Sequence, residues 1–205
     1  MILAAAHTSV MEADDELPFF TRTSLAARII LAVSIPFCAG AVILARPILG
    51  AIFGSEYVVA SAMLRIMVWF LPLSMLNSLA GYTLLAAGSE RRFLRNTAVG
   101  VGVAVALNLV AVPMFGPLGA ALAIVAGEVV LLTMMARSLL AAVKPKLDAR
   151  VLVPVVAASA MAIVVFLLRR MSLVGCIGFG ALTYSVFLLL LRGITAEDIG
   201  LARNG

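Results

Sequence analysis

A chain of 205 residues that is 64% hydrophobic and 12% charged lies far from soluble domains, which are nearer half apolar and a quarter charged. The mean hydropathy of +1.18 places most of it in lipid. The net charge of +5 does not read as nucleic-acid binding. Its basic residues sit in short clusters between apolar runs, as membrane anchors facing anionic lipid do, and no polar stretch is long enough to fold into a reader domain.

The chain opens MILAAAHTSVMEADDE, with neither a basic n-region nor a cleavage site, so a signal peptide is not expected. The following LPFFTRTSLAAR has the composition of an amphipathic lead-in on the inner membrane surface. A bilayer core of about 30 Å requires roughly 20 apolar residues as a helix, and six segments qualify. The first is uncharged from Ile29 to Ala45 and starts near Ser24; the second is uncharged from Ile66 to Ser89. The third and fourth share the uncharged stretch Asn96 to Gly127, which Pro113, Gly116 and Pro117 are expected to divide into a hairpin. The fifth runs from Val151 to Leu168 and the sixth from Met171 to Leu191.

Six crossings put eleven of the fifteen basic residues on one side: Arg22, Arg28, Arg91, Arg92, Arg95, Arg137, Lys144, Lys146, Arg150, Arg192 and Arg203. The other side holds Arg46, Arg65, Arg169 and Arg170. Positive charge favours the cytoplasm, so both termini are expected there, with the pair Arg169–Arg170 as the dissenting feature.

Within the spans, Pro36 and Pro72 each remove a backbone donor and are read as bends, either static or as hinges of an alternating-access protein. Gly119, Ala123 and Gly127 form a small-residue ridge on the fourth span, and Ala98, Gly102 and Ala106 one on the third; such ridges let membrane helices approach closely. Glu128 lies among aliphatic neighbours, where a carboxylate costs about 2.5–3.5 kcal/mol or more and so must face protein or a watery cavity. Its two readings are a proton or cation site and a structural acid held by a neighbouring helix. Asn77 and Asn108 are expected to make interhelical hydrogen bonds. Arg28 and Arg65 read as snorkelling anchors or as a fork for a phosphate or acidic sugar.

Catalytic and metal-binding motifs are absent, with no Walker loop, GxSxG, HExxH or paired loop acids, so an enzyme is not expected. His7 is the only histidine, and Cys38 and Cys176 read as small buried apolar side chains. No cofactor is implied beyond coupling to a proton or sodium gradient.

Four phrases in order carry a family resemblance: FGSEY after the first span, the LR opening the second, LLAAGSERR closing it, and ALNLVAVPMFGPLGAALAIVAGEVV. Over about residues 15 to 142 the chain resembles the C-terminal half of oligosaccharide flippases. These form the polysaccharide-biosynthesis branch of the multidrug/oligosaccharidyl-lipid/polysaccharide exporter superfamily. The resemblance implies an all-α polytopic membrane protein of about six transmembrane helices. Residues 1–23 would be a helix stub and lead-in, 24–142 four helices of the C-terminal lobe, 143–191 an accessory pair and 192–205 a cytoplasmic tail.

It further implies alternating access in a bacterial inner membrane, moving an undecaprenyl-diphosphate-linked oligosaccharide between leaflets. Arg28, Arg65, Asn77, Asn108 and Glu128 would be transport-path candidates, and the partners would be the bilayer, that lipid-linked glycan and a missing N-terminal lobe or partner chain. A full member has about twice this length, so a fragment, a half-transporter or an inactive remnant is expected. A drug or cation exporter of the same superfamily and a non-transporting membrane partner are the alternatives.

Overall fold

The computed structural model describes residues 16–142, 153–168 and 173–190, all but the connections as helix. The apolar stub, the 143–152 connection, Arg169–Arg170 and the C-terminal tail lie outside the described residues.

Helix α1 (Glu16–Ile52) runs unbroken for 37 residues, about 55 Å at 1.5 Å per residue, so the amphipathic lead-in and the first span are one rod. A 3-10 segment, Ser55–Ala60, leads into the short helix α2 (Ser61–Met67) and, after a break at Val68–Trp69, into α3 (Phe70–Ala86). Helix α4 (Glu90–Phe115) and helix α5 (Pro117–Ala142) form an antiparallel pair. Helices α6 (Val153–Leu168) and α7 (Leu173–Leu190) pack on one another and along α1.

Among the described residues, four helical stretches are long and apolar enough to cross a membrane: Thr23–Ile52, Ser55–Ala86, Glu90–Phe115 and Pro117–Ala141. The apolar parts of α6 and α7, Val156–Leu168 and Gly175–Phe187, are shorter. Large apolar side chains face outward throughout, Leu109 at 71% and Leu167 at 72% exposure among them, which a bilayer accommodates and water does not. The chain is an all-helical, multi-pass membrane protein.

Two connections are set by backbone geometry. Helix α3 ends in a Schellman motif: Ser89 N–H donates to Leu84 O at 2.9 Å and Gly88 N–H to Leu85 O at 3.0 Å. Gly88 supplies the left-handed residue that this motif requires, with φ 66°. The hairpin expected from Pro113, Gly116 and Pro117 is made by Gly116 alone, at φ 59°. Pro113 lies inside α4 and does not end it, whereas Pro117 opens α5, where a missing N–H costs nothing.

The hairpin is closed by small residues. A Cβ on Gly119 would overlap the backbone carbonyl of Ala111, and one on Gly127 would come within 2.9 Å of Ala104 Cβ. Ala123 between them is 3% exposed, so the ridge expected on the fourth span is the packed one. The ridge expected on the third span is not: Ala98, Gly102 and Ala106 are exposed, and a Cβ on Gly102 would meet nothing within 4 Å. The packed face of α4 is Asn96, Gly100, Ala104 and Ala111. It is offset by two residues from the expected ridge, about 200° around a helix, and so lies on the opposite side.

The apolar interior falls into two clusters. One joins α3, α4 and α5 through Ala80, Leu84 and Met135, with Phe93 and Leu131 against them. The other joins α1, α6 and α7 through Leu44, Met161, Val165 and Cys176.

Candidate functional site

Several hydroxyls on these helices are satisfied at home. Ser34, Ser78, Thr83 and Thr133 each donate to the carbonyl four residues back, as lipid-embedded helices require. The asparagines divide. Asn108 also stays on its own helix, its amide donating to Ala104 O at 2.9 Å, so the interhelical bond expected of it is not formed. Asn77 crosses from α3 to α5 and spends both amide hydrogens on one residue, donating to Glu128 Oε2 at 2.6 Å and to Glu128 O at 3.0 Å. Both partners are acceptors, so the orientation of this amide is fixed by chemistry. Its own Oδ1 is buried without a hydrogen-bond partner among the described residues.

The pair lines a groove of about 280 Å³ between α3, α4 and α5, also lined by Ser74, Ser78, Tyr82 and Thr97. Asn77 is 7% exposed and Glu128 half-buried. A carboxylate costly to place in lipid has thus been brought against an amide that neutralises part of the desolvation cost, and one face of it is left towards a space that water or a small cation can occupy. The position of Glu128 follows from the α4–α5 hairpin, and that of Asn77 from the break at Val68–Trp69, which sets where α3 begins.

The remaining sequence candidates lie elsewhere. Arg28 is buried at 7% exposure on α1. Arg65 is exposed on α2, its Nε donating to Val42 O at 3.1 Å and tying α2 to α1. Neither lines the groove, nor does Asn108.

The two proline positions differ from one another and share a device. Pro36 lies inside α1, where its missing N–H leaves Ala32 O without its intrahelical donor. The Tyr184 hydroxyl of α7 fills that place at 2.6 Å. Pro72 lies in the first turn of α3 and not mid-helix, just after the break, and the carbonyl it would have served, Val68 O, accepts from Leu71 N–H at 3.2 Å and from the Cys38 thiol at 3.2 Å. Cys38 is fully buried, as expected, but it is a donor and not a purely apolar filler.

Sequence reasoning missed Asn96, which is 1% exposed and donates to Ser138 Oγ at 2.7 Å and Met134 O at 3.2 Å. Its signal was available: Asn96, Gly100 and Ala104 recur at four-residue spacing, the register of the packed face. It missed Tyr184 as well, because nothing local links residue 184 to residue 32.

No family model and no curated protein matches the sequence. Among solved structures the chain is similar to lipid II flippase MurJ in its inward closed conformation, with a TM-score of 0.76 and 18% sequence identity. The match covers 92% of this chain and 42% of that one, so the chain spans less than half the length of the structure it resembles. At that identity the likeness speaks for the fold alone.

Proposed function

We propose that this chain is the C-terminal part of a flippase that carries an undecaprenyl-diphosphate-linked oligosaccharide across a bacterial inner membrane, working with a further lobe. The observation that carries the reading is the Asn77–Glu128 pair, a hydrogen-bonded carboxylate facing a groove inside an apolar bundle whose fold is that of a lipid-linked-substrate flippase. An intramembrane acid is costly and is kept where an ion or substrate path uses it. On this reading Glu128 is where a proton or sodium gradient is coupled to the movement, with Asn77 holding the carboxylate in place. Assignment to the oligosaccharide branch, over a drug or cation exporter, draws on the FGSEY phrase and the α6–α7 pair.

The test is transport in vesicles. The chain is reconstituted alone and together with the remainder of the transporter. Undecaprenyl-diphosphate-linked oligosaccharide is placed on one leaflet, and its arrival on the other is read with a glycan-degrading enzyme. Transfer above protein-free vesicles in either preparation supports the reading, and none in both removes it. E128Q is expected to abolish the dependence of transfer on an imposed ion gradient; unchanged gradient dependence removes Glu128 as the coupling group.

A further inference from the structure

At the end of the α4–α5 pair remote from Gly116, a second concavity of about 370 Å³ is lined by Arg92, Arg95, Arg137, Ser138 and Ala141. Three guanidinium groups from two helices converge on it, and no carboxylate is among its lining residues. Like charges brought together repel, a cost that a bound anion relieves. Its floor is rigid: Asn96 is bonded to Ser138 Oγ at 2.7 Å, and Arg92 Nη1 donates to Ser138 O at 3.4 Å.

We infer that this pocket binds the phosphate of an anionic membrane lipid. The forked donors of arginine match phosphate oxygens. A membrane source is favoured over free phosphate by what flanks the arginines. Leu94 is 63% exposed and Leu140 51%, so apolar surface for acyl chains borders the cationic pocket on both helices. Basic pockets between membrane helices are general head-group sites. The site is separate from the Asn77–Glu128 groove and does not depend on transport.

The test uses the full chain purified in detergent, with bound lipid counted by native mass spectrometry against added phosphatidylglycerol or phosphatidylcholine. Wild type is expected to retain phosphatidylglycerol selectively, and R137A to lose that selectivity about tenfold, the worth of one charge-assisted contact. R91A removes an exposed arginine of the same turn that does not line the pocket, and is expected to retain it. If R137A fails to fold, R92Q/R95Q on exposed positions carries the same expectation. Equal retention of both lipids, or a loss in R91A matching that in R137A, would overturn the site. Displacement of phosphatidylglycerol by an equal concentration of inorganic phosphate would overturn the lipid assignment.

Discussion

Helix α5 and helix α1 are held in different ways. Near the hairpin, helix α5 packs against its sequence neighbour α4 through glycines so close that Gly119 lies on the Ala111 backbone, and there the contact is one of shape. Helix α1 is also held by residues far away in the chain, and at Pro36 the contact is chemical: Tyr184, 152 residues from Ala32, donates to the carbonyl that Pro36 leaves open. In lipid there is no hydrophobic drive to bring helices together, so association comes from close packing or from polar groups that must be satisfied. The Gly119 and Tyr184 contacts use one each. A shape contact is broken by a methyl group; a polar contact is broken only by removing a donor, and can be repaired by supplying another.

The largest expected effect breaks the shape contact. G119A sets a Cβ into backbone that cannot step aside, and destabilisation of about 3 kcal/mol or more is expected, read as loss of folded protein in a denaturation series followed by Trp69 fluorescence. The polar contact on α5 comes next. E128L leaves one Asn77 amide hydrogen buried without its carboxylate partner, costing about 1–3 kcal/mol. A double-mutant cycle of N77A with E128A should return a coupling of about 1 kcal/mol, within the span found between membrane helices; zero coupling would mean that the pair is not formed.

The Tyr184 bond sharpens the contrast because it is repairable. Y184F should cost about 1 kcal/mol in the wild-type chain. In a P36A background residue 36 regains the N–H that serves Ala32 O, and Y184F should then cost measurably less. Equal cost in both backgrounds would show that the hydroxyl does not answer the proline. The smallest effect is the control on the other face of α4. G102A meets open space, so it should be neutral or stabilising by up to about 1 kcal/mol, as removing a helix glycine is. Destabilisation there would mean that Ala98, Gly102 and Ala106 are the packed ridge.

The first four spans, the hairpin and the isolation of Glu128 were legible because each is a property of consecutive residues: hydropathy over about 20 positions, a glycine at a turn, a carboxylate among aliphatics. The choice between two small-residue ridges on α4 was not. Gly100–Ala104 and Gly102–Ala106 have the same spacing, and only the partner helix decides which faces inward. The same holds for the polar residues. Asn77 and Asn108 look alike as lone amides in apolar runs, yet one bridges to Glu128 and the other folds back on Ala104.

Composition and periodicity by themselves determined that this is a helical membrane protein with a hairpin at Gly116 and one costly acid, because insertion into lipid is governed by residue content along a single helix. Only the tertiary structure decided that Asn77 meets Glu128, that Tyr184 and Cys38 serve the carbonyls near the prolines, and that Arg92, Arg95 and Arg137 share one pocket. Those are relations between helices. With lipid as apolar as the helices themselves, the matching of small surfaces and the satisfaction of buried polar groups set them, and neither is a property of one segment.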